Sequence, residues 1–289
     1  MASNTARPLE GKIAVVTGAF RGIGSAITQH LAGKGANILG VYTSDSSTKA
    51  AQELTASLSS KHGVKIVPLQ TDLIQPEEAG KRIVETAKAN FARADGTLVI
   101  DILINNAGVG GDYALGEVPA DEFHRIYAVN VLAPIMVTQA VLPYLPHDRS
   151  GRIVNISSVA SSMGFKTHTL YGGTKAALEA MTRTWARELV ERATVNAVNP
   201  GPVEGDMYWA AGEEFWKQLE PFQLAAPLTA VRDGVDRLEL VKLANEKMAG
   251  RRPAYWTEVA AVVGMICGQD SSWCTGSVVC ANGGLRFST

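Results

Sequence analysis

KIAVVTGAFRGIG, residues 12–24, decides the fold of this chain. Its first residues are a β-branched run that predicts a buried strand, and a helix-like segment follows the glycines. Gly18, Gly22 and Gly24 permit a tight turn in which helix N–H groups face a pyrophosphate, although their spacing differs from the G-x-G-x-x-G of many dinucleotide folds. The stretch predicts a dinucleotide-binding turn. The alternative is a turn that only packs the helix on the strand.

Further strand-like runs alternate with helical patterns along the chain. The runs span 12–16, 36–42, 64–70, 100–105, 151–156, 194–199 and 277–280. This βα repetition predicts an α/β fold: a doubly wound parallel sheet of about seven strands with helices on both faces. No linker or repeat divides residues 1–289, so we expect a single catalytic domain.

One segment, residues 204–250, departs from this rhythm. It is helix-like and rich in large apolar groups, which are Met207, Tyr208, Trp209, Phe215, Trp216, Phe222 and Leu224. We interpret it as a substrate lid inserted after a strand end. The alternative is a helical pair that supports an oligomer.

Polar side chains follow two of the predicted strands. Asn105 and Asn106 end one strand, and Ser157 and Ser158 end another. Ligands of doubly wound sheets bind beyond the carboxyl ends of the strands. These side chains are therefore candidates for contact with a ligand.

A tyrosine and a lysine four residues apart, Tyr171 and Lys175, share one face of a predicted helix. A free tyrosine has a pKa of about 10, and a fixed neighbouring cation favours the phenolate. Such a pair alone often belongs to a solvated helix surface. Together with the glycine turn and the polar strand ends, it predicts an acid-base site.

Taken in their order along the chain, the sequence motifs resemble those of the short-chain dehydrogenase/reductase family, in its β-ketoacyl-carrier-protein reductase-like branch. The resemblance covers nearly the whole chain. The motifs are TGAFRGIG at 17–24, Asp72 after a strand, NNAG at 105–108, Asn130 in a helix, Ser158, Tyr171, Lys175 and NPGPV at 199–203. The chain is also similar to fungal reductases of polyketide-derived aromatic ketones and naphthols.

The resemblance implies ketone reduction by a nicotinamide cofactor and a role for each of four residues. Tyr171 gives the proton, and Ser158 orients and polarises the carbonyl. Lys175 holds the nicotinamide ribose, and Asn130 holds a water that connects Lys175 to solvent. Without the other motifs, Asn130 would fit a satisfied helix amide better than a water-binding residue. Ser157 competes with Ser158, but the thirteen-residue spacing to Tyr171 favours Ser158.

The end of the second strand bears on cofactor choice. NAD-selective sites usually carry an acid there, and this chain has Tyr42 followed by Thr43 and Ser44. With Arg21 these hydroxyls suit a 2'-phosphate, which predicts NADP(H). Asp45 is the alternative, since a shifted loop would bring an acid to the ribose.

The resemblance implies further cofactor contacts. The full predicted set is Gly18, Arg21, Gly22, Ile23, Gly24, Tyr42, Thr43, Ser44, Asp72, Leu73, Asn106, Ala107, Gly108, Tyr171, Lys175, Pro200, Gly201 and Val203. Asp72 is expected to cap the adenine side, with an N-cap or turn role as its alternative. Two positions depart from the family: Gly205 replaces a common Thr, and Phe20 occupies a position that is often small and polar.

Composition excludes several other classes. The chain is 46% hydrophobic with a net charge of -1, so it lacks the basic surface typical of nucleic-acid binding. No apolar run approaches the ~20 residues that span a bilayer, and Met1 to Glu10 lacks a signal-peptide core; we expect a cytoplasmic protein without a membrane partner. Cys267, Cys274 and Cys280 predict reduced packing residues and no metal site.

These features predict an NADPH-dependent reductase of a bulky, apolar or aromatic ketone. The alternatives are an NAD-dependent secondary-alcohol dehydrogenase and, in another class, a non-catalytic cofactor-binding protein. Helices predicted at about 120–145 and 171–191 carry apolar residues beyond the apparent needs of sheet packing. These are Ile126, Val129, Met136 and Ala140 on one helix, and Ala177, Met181 and Trp185 on the other. The family resemblance implies a homodimer or homotetramer through these helices.

Overall fold

A seven-stranded parallel sheet forms the centre of the protein. The computed structural model describes residues 7–287. The strand order is β3-β2-β1-β4-β5-β6-β7, and every neighbouring pair is parallel. The strands are β1 (Ile13–Thr17), β2 (Asn37–Tyr42), β3 (Ile66–Gln70), β4 (Ile102–Asn105), β5 (Gly151–Ile156), β6 (Ala193–Pro200) and β7 (Val278–Ala281). The predicted fold class is confirmed.

Helices cover both faces of this sheet. They are α1 (Gly22–Gly33), α2 (Thr48–His62), α3 (Pro76–Phe91), α4 (Ala120–Tyr127), α5 (Ala133–Val141), α6 (Ala160–Met163), α7 (Thr169–Glu188), α8 (Asp206–Ala225), α9 (Leu238–Lys247) and α10 (Trp256–Ile266). Ala14 and Val16 of β1 pack with α1, α2 and α10, whereas Val15 packs with α3 and α5. Burial on both faces explains why the strands read as continuous apolar runs.

One long helical segment passes beside the sheet. It consists of α4, a π-helical turn at Ala128–Leu132, α5 and a 3-10 turn at Leu142–Tyr144. By length and composition alone it could cross a membrane, with a mean hydropathy of 1.6 in its most apolar window. The expectation that no apolar run is long enough was therefore wrong here. Inside the fold, this segment packs against α3 and α7.

The apolar residues assigned to an oligomer interface partly serve the chain itself. Ile126 is fully buried. A Cβ added at Gly80 of α3 would lie 3.1 Å from the Ala140 Cβ and 3.1 Å from the Met136 backbone oxygen, so these two residues face α3. No local sequence pattern indicates this close helix packing, because Gly80 lies far from both residues in the chain.

Residues 204–250 lie where the sequence placed them, after the end of β6. They contain α8, which is broken at Gly212 (φ 72), and α9. Tyr208 and Trp216 pack with Phe165 in a separate apolar cluster, whereas Met207 stays 59% exposed. Part of the aromatic stripe is thus internal packing, and the role of the segment as a lid stays a prediction.

Two other expectations concern the chain ends and the cysteines. Residues 1–6, most of the segment used to predict the cytoplasmic location, and residues 288–289 of the predicted domain lie outside the described part of the chain. Cys267, Cys274 and Cys280 are free thiols, and Cys267 is buried. Cys267 is thus a packing residue, whereas Cys274 and Cys280 are half-buried, and the reduced state of all three stays a prediction.

Phe20, which the sequence left without explanation, packs on the second strand. Its side chain is buried and meets the Tyr42 ring edge-on, with 5.6 Å between ring centroids. A Cβ added at Gly40 would lie 2.5 Å from the Phe20 Cζ, so the ring occupies the space that a side chain at position 40 would fill. The missing side chain at Gly40 therefore leaves the room that the Phe20 ring fills.

We predict that Phe20 and Gly40 are energetically coupled. Gly40→Ala should destabilise the protein by about 1–3 kcal/mol because it forces overpacking, and Phe20→Ala by about 3–5 kcal/mol because it leaves a cavity. In the double variant, the added methyl group occupies part of that cavity. Urea denaturation should therefore give a favourable coupling of about 0.5–3 kcal/mol. Additive losses would contradict the contact.

Candidate active site

The glycine turn after β1 fits close approach of a ligand. A Cβ added at Gly24 would lie 1.9 Å from the Gly18 backbone oxygen, so the turn closes only with glycine at position 24. Gly18 has φ +66, a conformation that L side chains rarely adopt. Helix α1 begins at Gly22, and its first N–H groups are therefore available to a phosphate. Arg21, just before the helix, is exposed.

Two side chains join this turn to the end of β4. The Thr17 hydroxyl accepts hydrogen bonds from the backbone N–H groups of Asn106 and Ala107, both at 3.0 Å. The Asn106 amide donates to the backbone oxygens of Thr17 (2.9 Å) and Gly18 (3.2 Å). The Asn106 side chain thus braces the turn, a role that the sequence did not predict. The buried Asn105 side chain instead donates to Asn155 at 2.8 Å.

The loop after β2 presents the hydroxyls predicted to bind the 2'-phosphate. Thr43 and Ser44 are exposed, and the Ser44 hydroxyl lies 2.9 Å from that of Ser46. Asp45, the acid of the alternative reading, accepts a hydrogen bond from the Gln70 amide at 2.6 Å. This bond holds the Asp45 carboxylate toward the end of β3.

Two further segments carry predicted cofactor residues. Asp72 Oδ1 accepts a hydrogen bond from the Ile74 backbone at 3.1 Å, which is the turn role weighed as its alternative. The helix N-cap is Gln75, so the N-cap reading of Asp72 was wrong. Leu73 beside it is buried.

The structure after β6 accounts for the glycine at position 205, where the family commonly has a threonine. Gly205 has φ +137, and a Cβ added there would lie 3.1 Å from the Trp256 Nε1. Trp256 Nε1 donates to the Glu204 backbone oxygen, so the indole is fixed against this turn. A threonine at position 205 would be strained and would contact Trp256. Val203 forms an isolated bridge with Ala254, which anchors the strand end.

The residues predicted to carry the chemistry converge at the carboxyl ends of β4 and β5. Tyr171 and Lys175 lie on successive turns of α7, with the Lys175 Nζ 5.6 Å from the Tyr171 ring centroid. The Nζ donates to the Ile156 backbone oxygen at 2.8 Å. A Cβ added at Gly108 would lie 3.4 Å from both Lys175 Nζ and Asn130 Oδ1, so these three residues are neighbours.

Ser158 lies beside Tyr171, and its hydroxyl can donate to the phenol oxygen or to a substrate oxygen. Its Oγ accepts a hydrogen bond from the Ala160 backbone at 3.1 Å, which leaves the hydroxyl hydrogen available for a substrate oxygen. Ser157, its competitor in the sequence, has its hydroxyl turned inward to Glu179 at 2.6 Å. The structure therefore favours Ser158.

Burial controls the charge states of Tyr171 and Lys175. Burial raises the pKa of Tyr171, and the hydrogen bond with Ser158 opposes this shift. Burial also lowers the pKa of Lys175 to about 8. The sequence predicted the opposite shift for Tyr171, because it weighed the Lys175 charge without the burial of the phenol. A protonated Tyr171 at neutral pH is suited to donate a proton.

Asn130 lies in the π-helical turn, and its side chain is fully engaged. Its Oδ1 accepts from the Val109 N–H at 2.8 Å, and its Nδ2 donates to the Val109 oxygen at 2.8 Å and to Thr174 at 3.1 Å. Pro134 has no N–H, so the Asn130 carbonyl cannot accept the usual helical bond from residue 134. That carbonyl is the group of Asn130 suited to bind a water.

Comparisons with known proteins identify the family of this chain. A family model described as short chain dehydrogenase matches residues 12–215. The chain belongs to the short-chain dehydrogenase family. This confirms the predicted family and shows that the protein is an oxidoreductase acting on CH–OH or C=O groups.

Three proteins illustrate what this chain is similar to. An L-xylulose reductase of Aspergillus niger is 54% identical, covering 97% of this chain and 99% of its own length. An L-xylo-3-hexulose reductase of Hypocrea jecorina is 51% identical, covering 98% and 99%. A blue fluorescent protein from a metagenomic library, solved in complex with NADPH, has a TM-score of 0.79 at 33% identity, covering 97% and 100%. The cofactor is NADP(H), as the sequence predicted.

Several residues near the site were not singled out from the sequence. The His168 Nε2 pairs with Asp112 Oδ1 at 3.0 Å, and the His168 ring lies 5.8 Å from that of Tyr171 between centroids. Glu179 contacts Ser157 behind the site. Its spacing could have revealed Glu179 in the sequence. It lies eight residues after Tyr171, and residues four apart share a helix face. Asp112 left no local signal, because its partner is distant in sequence.

We predict that Lys175→Met stabilises the protein while it abolishes activity. Lowering the Lys175 pKa from about 10.4 to about 8 corresponds to a cost of about 3 kcal/mol at neutral pH. Removing the charge should recover about 1–2 kcal/mol of this after loss of the hydrogen bond to Ile156. Thermal denaturation should show the full gain below pH 8 and a shrinking gain from pH 8 to about pH 10.4, because the folded protein then holds Lys175 neutral. The gain should vanish once the unfolded-state lysine is neutral as well.

The control is Lys81→Met, at an exposed lysine of α3. It should leave the pH dependence of stability unchanged. A Lys175→Met variant less stable than the unmodified protein at pH 7 would show that burial does not disfavour the charged lysine.

Cofactor selectivity gives a second prediction for this site. Arg21→Ala should weaken NADPH binding about tenfold to a hundredfold, because a charge-assisted hydrogen bond contributes roughly 1.5–3 kcal/mol. NADH binding should change little, since NADH lacks the 2'-phosphate. Titration of both cofactors checks this, with Arg82→Ala on the exposed face of α3 as the control. Equal losses for both cofactors would mean that Arg21 does not meet the 2'-phosphate.

Proposed function

We propose that this chain is an NADPH-dependent reductase that converts the ketone of a keto sugar to the corresponding polyol. The observation that carries the proposal is the identity above 50% with two keto-sugar reductases over nearly the whole chain. The sequence predicted a bulky aromatic ketone from the apolar segment 204–250. The relatives favour a sugar, and the burial of Tyr208 and Trp216 weakens the aromatic argument.

A polar pair next to Tyr171 supports a hydroxylated substrate. His168 lies in an otherwise aromatic wall with Phe165 and Phe215. Burial lowers the pKa of His168, with Asp112 opposing the shift, so the neutral ring is favoured at pH 7. If Nε2–H donates to Asp112, Nδ1 is left as an acceptor, and it has no partner among the described residues. Because this nitrogen is buried, a sugar hydroxyl would reach it once the neighbouring side chains move.

The residues at the site divide the reduction among them. Gly18, Arg21 and the hydroxyls after β2 would hold the cofactor, which supplies the hydride when bound. Ser158 O–H would donate to the substrate carbonyl oxygen and Tyr171 would transfer its proton to that oxygen as negative charge develops. Lys175 and a water on the Asn130 carbonyl would return a proton to Tyr171. The carbonyl thus gains one hydride on carbon and one proton on oxygen.

Assembly and location belong to the same proposal. Phe123 and Leu132, both 42% exposed, lie on the helical segment next to α7 and support pairing of two copies through that face. We propose a cytoplasmic homodimer or homotetramer that acts on a small-molecule substrate.

The test is a panel of ketones with NADPH. We expect the highest kcat/KM for L-xylulose or L-xylo-3-hexulose, and lower values for an acetoacetyl thioester and a hydroxynaphthalenone. Tyr171→Phe should lower kcat about 10²- to 10⁴-fold because it removes the transferable proton, with unchanged NADPH affinity. Greater kcat/KM for the aromatic ketone than for every keto sugar would overturn the sugar assignment.

The same panel tests the polar pair. His168→Leu should raise the KM for the keto sugar about tenfold, because a substrate hydroxyl loses its acceptor. The affinity for NADPH should stay the same. His147→Leu, at an exposed histidine, is the control.

A further inference from the structure

Glu179 gathers three side chains behind the active site. It lies one turn of α7 after Lys175 and two turns after Tyr171, on the same stripe of the helix. Its Oε1 accepts hydrogen bonds from Ser157 Oγ (2.6 Å), Ser161 Oγ (2.8 Å) and Asn199 Nδ2 (3.0 Å). One carboxylate oxygen therefore connects α7 to the end of β5, to α6 and to β6.

These partners enclose Ser158 on both sides. Ser157 precedes it in the chain, and Ser161 lies three residues after it. The Asn199 amide also donates to the Ser158 backbone oxygen at 3.1 Å. Ser157 and Asn199 are 3% and 4% exposed, so water cannot readily replace a lost partner. This set of bonds therefore holds the backbone on both sides of Ser158.

We propose that Glu179 is a positioning residue, which fixes Ser158 against Tyr171 by holding Ser157, Ser161 and Asn199. It touches neither substrate nor cofactor in this scheme. The proposal rests on the proposed reductase function, in which Ser158 donates to the substrate carbonyl. A displacement of about 1 Å in such a group can cost on the order of a hundredfold in rate.

The first test is a double-variant cycle on L-xylulose reduction. Glu179→Gln keeps the shape of the side chain but removes the charge that strengthens the three bonds. We expect a roughly tenfold fall in kcat, with the Kd for NADPH unchanged within about twofold. In a Ser158→Ala background the same change should lower kcat by less than about twofold, because the group that Glu179 positions is already gone.

A merely structural role predicts a different pattern. It would lower kcat equally in both backgrounds, and that result would overturn the proposal. Glu188→Gln, at an exposed glutamate near the end of the same helix, should leave kcat and KM unchanged.

The second test does not depend on the substrate. A crystal structure of Glu179→Gln with NADPH should show the Ser158 hydroxyl displaced relative to Tyr171, compared with the unmodified protein. An unmoved Ser158 would refute the positioning role, whatever the enzyme reduces. If the unmodified enzyme reduces no keto sugar but Ser158 moves in the variant, the substrate assignment fails and the positioning role stands.

Discussion

The hydrogen bonds between Thr17 and Asn106 join the carboxyl ends of β1 and β4, and the site depends on this junction. The strand order reverses between these two strands, which is where doubly wound sheets bind their ligands. Because the Asn106 amide holds the glycine turn, the turn and the NNAG segment form one surface. Gly108 at the end of that segment then lies against Lys175 and Asn130, so the cofactor turn and the chemical residues share one scaffold.

Helix α7 carries the other half of the site and does so at a cost in stability. Lys175 is 4% exposed with a lowered pKa, so its charge is disfavoured where it lies. Its backbone-oxygen partner on Ile156 and the anchoring of Glu179 fix the helix against β5 and β6. A charge that disfavours folding is thus held beside Tyr171, where the proposed proton transfer would use it, which is a common conflict between stability and activity.

Sequence patterns predicted the sheet well because its strands are buried on both faces and followed by glycines or polar residues. Tyr171 and Lys175 were predictable for a similar reason, since helical spacing places them together. The bracing by Asn106, the Glu179 cluster and the His168–Asp112 pair were missed. Each joins residues far apart in the chain, and such contacts leave no local pattern. The pKa of Tyr171 was misjudged because burial, unlike a neighbouring lysine, cannot be read from spacing.

The two departures from the family have the same physical form. Phe20 is large where Gly40 lacks a side chain, and Gly205 lacks a side chain where Trp256 closes the space. In each pair the volume lost at one position is occupied by an aromatic ring from another element, as close packing requires. A substitution in the cofactor turn or after β6 therefore does not by itself indicate lost function. The effect of such a substitution depends on the residue that packs against it. Here Gly40 and Trp256 complement Phe20 and Gly205, and the shape of both turns is preserved.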